Sequence, residues 1–194
     1  MGVELATEAL KRGHQVTVVS GPGLEPFPRE ARVIPVERAR EMDMALRRES
    51  YRADAIIMAA AVCDFQPSRV SRKKLTRRGR RQLQLIAVPD IIGRLPRRPR
   101  QIVAAFALET KDVISRAKRK LQVKRLDLLL AQRAGGRMSP FGRQPVKAWL
   151  LEREGLVTSL GSLTKQEVAR LLLDKIEALW YGQTKITKLG KANR

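Results

Sequence analysis

Three short, continuously apolar segments separated by amphipathic stretches constrain the fold of this chain most strongly. They are residues 53–61 (ADAIIMAAA), 101–107 (QIVAAFA) and 127–131 (DLLLA). Such runs are typical of strands that are buried on both faces of a parallel sheet. Between the last two, Val113, Ala117 and Leu121 recur at helical spacing within 112–124. This alternation predicts an α/β fold, doubly wound around a mostly parallel sheet.

The rest of the pattern predicts the remaining elements. Thr164 and Glu167 form a capping box that opens a C-terminal helix, and Pro89 opens a short helix. Further helices are expected at 2–12 and 37–49, strands at 14–21 and 82–86, a β-hairpin from 146–152 and 156–162, and a basic, disordered tail at 181–194. The predicted domain therefore covers residues 1–180.

The chain begins inside a predicted helix, without the strand that should precede it. In doubly wound sheets that strand is normally central, and its turn into the helix binds phosphate. We therefore expect either that the natural domain begins upstream of Met1 or that another polypeptide supplies the strand. A sheet that begins at residue 14 is the alternative.

A net charge of +21 favours anionic partners. Nucleic acid, the phosphates of a small substrate and a merely solvated basic face all remain open, since a nucleotide site uses only a few cations. The only cysteine is Cys63, so an internal disulfide is excluded. The sequence contains no run of 18 apolar residues and no signal peptide, and we expect a cytoplasmic protein.

Residues 59–67 (AAAVCDFQP) lie at the end of a predicted strand, where open α/β sheets bind ligands. Small side chains such as Ala60 would let a base or phosphate approach the backbone, and Asp64 could accept its hydrogen bonds. Tight packing and a turn-capping aspartate are the alternative. In the helix at 112–124, Arg116, Lys120 and Lys124 are spaced by four and form a basic stripe, which could grip phosphates or face solvent.

Five segments together resemble a known family in their order and spacing. They are MGVELATEALKRGHQVTVVSGP, RADAIIMAAAVCDFQP, LQLIAVPDII, AAFALET and RAKRKLQVKRLDLLLA. The family is phosphopantothenoylcysteine synthetase, the C-terminal half of a bacterial bifunctional flavoprotein of coenzyme A synthesis. The resemblance implies a Rossmann-like fold, a homodimer, and ligation of phosphopantothenate with cysteine that uses CTP and Mg²⁺ and passes through an acyl-cytidylate. It also implies a flavin-dependent decarboxylase partner, fused or separate, and neither a membrane nor a nucleic acid partner.

The resemblance also implies which residues bind the nucleotide. By position in the family's motifs, Lys74 would meet the triphosphate, Phe106 would lie beside the nucleotide, and two lysines of the basic stripe would contact it. The complete set is Ala60, Asp64, Lys74, Pro89, Asp90, Ile91, Phe106, Lys120 and Lys124.

Several positions depart from the family's pattern. Val88 replaces an asparagine, while Gln132 and Arg133 replace an asparagine-aspartate pair. The family's glycine-rich loop and catalytic asparagine would lie before Met1, and the only asparagine of this chain is Asn193. We therefore expect impaired acyl-cytidylate chemistry in these 194 residues. A non-catalytic relative that binds a nucleotide or a partner, and a basic RNA-binding protein, are the alternative functions.

Overall fold

The computed structural model describes residues 1–23, 25–71, 73–77, 79–134 and 145–192. The helices are α1 (Gly2–Lys11), α2 (Ala39–Ser50), α3 (Val113–Val123) and α4 (Lys165–Ala192). The strands are β1 (Thr17–Ser20), β2 (Arg32–Pro35), β3 (Ala55–Met58), β4 (Phe65–Pro67), β5 (Leu85–Ala87), β6 (Ile102–Glu109), β7 (Leu128–Arg133), β8 (Val146–Glu152) and β9 (Val157–Leu163).

A five-stranded sheet in the order β3-β6-β7-β8-β9 forms the centre of the fold. Strands β3, β6 and β7 are parallel, and β8 and β9 extend the sheet as an antiparallel hairpin. The predicted Rossmann-like α/β fold with a C-terminal hairpin is therefore confirmed. No helix in the part of the chain that the structure describes is long and apolar enough to span a membrane.

The side chains of β6 and β7 alternate between two cores, one on each face of the sheet. On one face, Val103 and Leu129 pack with Ala117 and Leu121 of α3. On the other, Ile102 and Leu128 pack with Leu5 of α1 and Leu172 of α4. Because both faces are covered by helices, continuous apolar runs are the pattern that these strands require.

Strands β1 and β2 form a separate parallel pair. They pack with α2 through a cluster that includes Val36, Met42, Ala45 and Ile91. Among the described residues, neither strand is hydrogen-bonded to β3, so β1 and β3 each have a strand neighbour on one side only.

Some local predictions need correction. Residues 91–94 after Pro89 form hydrogen-bonded turns instead of a helix, because Pro96 follows too closely for a helix to develop. Strand β4 lies between the predicted strands at 53–61 and 82–86, where no strand is predicted. Strand β3 is shorter than the run 53–61 and only its Ile56 is buried, because β3 is an edge strand here.

Helix α4 continues through residues 181–192, where the sequence analysis places a disordered tail. The sequence contains no proline between Thr164 and Ala192 that would end this helix. Residues 193 and 194 lie outside the described part.

Candidate functional site

The candidate site forms where the parallel strands β3, β6 and β7 end. Met58, the last residue of β3, is in register with Ala105, and Glu109 at the end of β6 is in register with Arg133. Ala60 and Asp64 follow directly after β3 and are exposed. Carboxyl ends of parallel strands are where open α/β sheets bind ligands, so these residues share a suitable edge.

A small antiparallel sheet, which the sequence analysis missed, joins two of the predicted motifs. Strand β4 pairs with β5, and Phe65 lies opposite Ala87. Beyond that pair, the backbone N–H of Val88 donates to the carbonyl of Asp64 at 2.8 Å. The pairing brings the segment 59–67 beside Pro89 and Asp90, which are 25 or more positions later than Asp64 in the chain.

Helix α3 directs its basic stripe toward acidic groups at the same edge. The Lys124 ammonium lies 3.1 Å from Oδ1 of Asp90, and the Lys120 ammonium lies 2.6 Å from Oε1 of Glu109. Arg116 contacts the other oxygen of Glu109 at 3.4 Å. The stripe is therefore not a purely solvated face, since each of its three cations meets a carboxylate.

The turn after Pro89 fixes the position of Asp90. Its Oδ1 accepts a hydrogen bond from the backbone N–H of Gly93 at 3.2 Å. A Cβ atom at Gly93 would lie 2.6 Å from Oδ2 of Asp90, so only glycine lets the carboxylate sit there without displacement. The side chain of Ile91 is buried against Val36 and Met42, which leaves only its backbone to face a ligand.

Lys74 and Phe106, two of the predicted nucleotide contacts, make no described contact with the basic stripe of α3. Lys74 lies in the exposed segment between β4 and β5. Phe106 is half-buried on the opposite face of the sheet from α3, where it packs with Leu130 and Val168. A nucleotide that met both Phe106 and α3 would have to cross the edge of the sheet.

The sequence departures also have positions in this arrangement. The backbone N–H of Val88 donates the hydrogen bond to the carbonyl of Asp64 described above. Gln132 is buried near the end of β7, and Arg133 is exposed. One further departure is SPFGRQP at 139–145, where the family has a glycine-phenylalanine-glycine-serine-aspartate segment, and apart from Pro145 it lies outside the described residues.

Sequence reasoning missed Glu109 as a site residue. Its side chain is 5% exposed, and it is the last residue of β6. The available signal was an acid that directly follows an apolar strand, at the end that faces ligands in this fold class.

A separate cleft of about 560 Å³ lies beyond the carboxyl end of β1. Its lining includes Ser20, Gly21, Phe27, Glu37 and Glu41, and none of the nine predicted nucleotide contacts. The acid Glu41 is already engaged, because its carboxylate accepts hydrogen bonds from the backbone N–H groups of Glu37 and Arg38.

Comparison with known proteins agrees with the fold and the motif order. The chain is 33% identical over 178 residues to the coenzyme A biosynthesis bifunctional protein CoaBC of Borreliella burgdorferi, which covers 89% of this chain and 44% of that protein. It is 32% identical over 182 residues to CoaBC of Bacillus subtilis, with coverages of 92% and 45%. A cysteine/cysteine sulfinic acid decarboxylase from an unknown prokaryotic organism is 34% identical over 183 residues, with coverages of 92% and 51%. The chain thus spans about half the length of these curated relatives.

Solved structures show the same architecture. The crystal structure of the C-terminal domain of CoaBC superimposes with a TM-score of 0.78 at 28% identity, covering 93% of this chain and 82% of that one. The DNA/pantothenate metabolism flavoprotein from Streptococcus pneumoniae gives 0.73 at 19% identity, with coverages of 91% and 86%, and shares the fold. A family model described as the DNA/pantothenate metabolism flavoprotein C-terminal domain matches residues 1–179. The resemblance found in the sequence is therefore confirmed, and this chain belongs to the DNA/pantothenate metabolism flavoprotein C-terminal domain family.

Proposed function

We propose that this chain is a nucleotide-binding domain of coenzyme A biosynthesis that serves the CTP-dependent ligation of phosphopantothenate with cysteine. Named relatives at 32–33% identity are coenzyme A biosynthesis proteins. The observation that carries the proposal is the cationic edge of α3, where Lys120 and Lys124 stand one turn apart beside the segment 59–67 and the turn after Pro89.

The proposed reaction has two steps. A carboxylate oxygen of phosphopantothenate attacks the α-phosphorus of CTP, and the bond to the departing pyrophosphate breaks. The cysteine amine then attacks the activated acyl carbon, loses a proton, and expels CMP. Lys74, Lys120 and Lys124 offset the phosphate charge, while Ala60, Asp64, Phe106 and the backbone of residues 89–91 position the nucleotide.

The acidic groups at this edge are compatible with Mg²⁺ only if the nucleotide supplies most of the ligands. Among the residues that the structure describes, no three His, Cys, Asp or Glu side chains come together as metal ligands would. Mg²⁺ commonly binds one or two carboxylates together with substrate phosphates. Glu109 and Asp90 already pair with cations, so exposed Asp64 is the residue that would hold the metal, which would neutralise phosphate charge.

The 194 residues contain no asparagine besides Asn193. We therefore propose that they bind the nucleotide but complete the ligation poorly. Release of pyrophosphate by this chain would be compared with release by a version extended upstream. Faster turnover by the extended protein supports an enzyme, whereas CTP binding without turnover in both supports the non-catalytic relative.

A homodimer through the segment 65–87, named here the β4–β5 hairpin, is part of the proposal. It exposes several large apolar side chains: Phe65, Val70, Leu75, Leu83, Leu85 and Ile86. Contiguous exposed apolar surface is typical of interaction sites. A flavin-dependent decarboxylase, fused or separate, is the second proposed partner, and the proposed location is the cytoplasm.

Titration with CTP and Mg²⁺ tests the proposed site. We expect Lys74→Ala to weaken CTP binding about tenfold, the usual scale for losing one charge-assisted contact to a phosphate. Lys73→Ala, adjacent in the same exposed segment, is the matched control and should bind nearly as wild type. If the extended protein also fails to bind CTP, the assignment of the site is wrong.

The net charge of +21 favours one rival, an RNA-binding protein. That function predicts affinity for RNA that falls steeply with salt and is unaffected by free CTP. Competition of CTP with a labelled RNA separates the two functions. Displacement of the RNA by CTP supports a nucleotide site at this edge, whereas RNA binding that CTP leaves unchanged supports the RNA-binding protein.

A further inference from the structure

Glu109 is a buried carboxylate that the proposed reaction does not use. Its side chain is 5% exposed and lies at the carboxyl end of β6, where its oxygens meet Lys120 at 2.6 Å and Arg116 at 3.4 Å. A buried charge is costly unless it is paired, so this carboxylate requires both cations.

The two cations differ from Glu109 in their access to solvent. The side chain of Lys120 is 44% exposed and that of Arg116 is 54% exposed. Their charged groups thus extend from a buried anchor toward the edge of the sheet. A free lysine or arginine carries considerable rotamer entropy, which is lost when it binds a phosphate. Holding the side chain in place before the ligand arrives removes that cost.

We infer that Glu109 is a positioning residue, which holds Lys120 and Arg116 in the orientation that receives the outer phosphates of the nucleotide. This inference rests on the proposed function. It adds roles for Glu109 and Arg116, which are not among the predicted nucleotide contacts. Glu109 acts through the cations and does not touch the nucleotide.

The electrostatic and positioning roles of Glu109 have opposite consequences. If the carboxylate only competes with phosphates for Lys120, its neutralisation strengthens the binding of an anion. If it positions Lys120, its neutralisation weakens binding although the local charge becomes more positive. The direction of the change therefore separates the two.

The experiment measures binding of CTP and of CMP to the full chain and to Glu109→Gln. We expect CTP affinity to fall about tenfold, the scale of one charge-assisted hydrogen bond. CMP affinity should change less than twofold, because CMP lacks the outer phosphates. An equal loss for both ligands indicates a merely structural role, and unchanged or tighter CTP binding indicates competition. Either result overturns the inference.

Glu109→Asp is the second variant, and it keeps the inference testable if Glu109→Gln does not fold. It retains the charge but shortens the side chain by one methylene, so the carboxylate no longer reaches Lys120 in the same way. We expect a selective loss of CTP affinity here as well. Wild-type affinity in this variant would show that charge without position is sufficient, which contradicts the inference.

Two further variants complete the design. In a Lys120→Met background, Glu109→Gln should cause little additional loss of CTP affinity, since the two residues act as a pair. Glu49→Gln is the matched control, because Glu49 of α2 is 15% exposed and contacts two cations away from the site, Arg32 of β2 at 2.7 Å and Arg48 of α2 at 2.9 Å. It should leave CTP affinity unchanged.

Failure of the inference is distinguishable from failure of the proposed function. If wild type binds CTP and Lys124→Ala weakens it while the Glu109 variants do not, only the role of Glu109 is wrong. If neither the wild-type chain nor its version extended upstream binds CTP, the proposed function is wrong and the inference falls with it.

Discussion

Strand β7 and the β4–β5 hairpin are both rich in apolar residues, yet their environments are opposite. The leucines of β7 are at most 1% exposed, whereas Phe65 and Leu85 of the hairpin are 60% and 50% exposed. Strand β7 has β6 and β8 as neighbours and helices on both faces, while β4 and β5, in the part of the chain described, pair only with each other. Apolar content alone therefore does not separate a core strand from a candidate interaction surface.

The difference also separates stability from function. The burial of β7 stabilises the domain, whereas the hairpin brings Asp64 beside Val88 and carries Lys74. A segment with little packing of its own thus supplies one predicted nucleotide contact, Lys74, and helps to position another, Asp64. Four predictions test this division, from the largest expected effect to the smallest.

Truncating a leucine to alanine should destabilise the core strand β7 far more than the β4–β5 hairpin. We expect Leu129→Ala to lower the free energy of unfolding by about 2–5 kcal/mol, because it leaves a cavity among tightly packed side chains. Leu85→Ala removes the same atoms from an exposed position and should change stability by about 0.5 kcal/mol or less. Denaturant titration in dilute solution measures both, and equal losses would contradict the comparison.

The second prediction concerns the turn at 91–94, which joins the exposed hairpin to buried residues such as Ile91 and Ile92. Gly93→Ala places a Cβ against the carboxylate of Asp90, which must move away from Lys124. We expect weaker CTP binding but a change in stability of about 1 kcal/mol or less, because the carboxylate is the movable end of a side chain that is 40% exposed. Gly23→Ala is the control, since its Cβ would meet only a carbonyl oxygen at 4.0 Å. Unchanged CTP binding by Gly93→Ala would separate the turn from the site.

The proposed interface of the hairpin gives the third prediction. Leu85→Glu should weaken self-association about tenfold or more, because a charge would be buried in an apolar contact. Sedimentation equilibrium measures the change. Met44→Glu, on the exposed side of α2, is the control at another exposed apolar residue and should leave association unchanged. A wild-type chain that is monomeric at all concentrations would exclude this interface.

Exposed helix caps should contribute least to stability, and their contribution should be lost in acid. The N–H and hydroxyl groups of Thr164 donate to the carboxylate of Glu167, and these hydrogen bonds hold the pKa of Glu167 below its usual value. The backbone N–H groups of Glu37 and Arg38 lower the pKa of Glu41 in the same way. A depressed carboxylate pKa stabilises the fold above the unfolded-state value of about 4.3 and loses that contribution as the pH falls through the folded-state value.

We therefore expect the melting temperature to fall below about pH 5, and to fall less steeply in Glu167→Gln. Thermal unfolding from neutral to acidic pH measures the slope. Thr164→Val, which removes the hydroxyl donor, should flatten the slope in the same direction. A slope identical to that of wild type in both variants would show that this cap does not contribute.

Local pattern was sufficient for most elements. The apolar runs at 101–107 and 127–131, the helical spacing at 112–124 and the Thr164–Glu167 capping box all lie where they were predicted. These signals are reliable because a strand or helix that packs against another element repeats its apolar residues at a fixed period. The positions of β4, of the turn at 91–94 and of the edge at β3 depend on neighbours far along the chain, and no local period records them.

For the site, the sequence by itself determined the residue types and, through motif order, the family. The local pattern left two roles open for the basic stripe of α3, phosphate binding and a solvated face, and the family resemblance favoured phosphate binding. Only the tertiary structure decided that Lys124 meets Asp90, that Lys120 and Arg116 share Glu109, and that Phe106 lies on the opposite face of the sheet. The physical reason is that an ion pair depends on distance and burial in space, which the folded sheet sets when it brings residues 34 positions apart to within 3.1 Å.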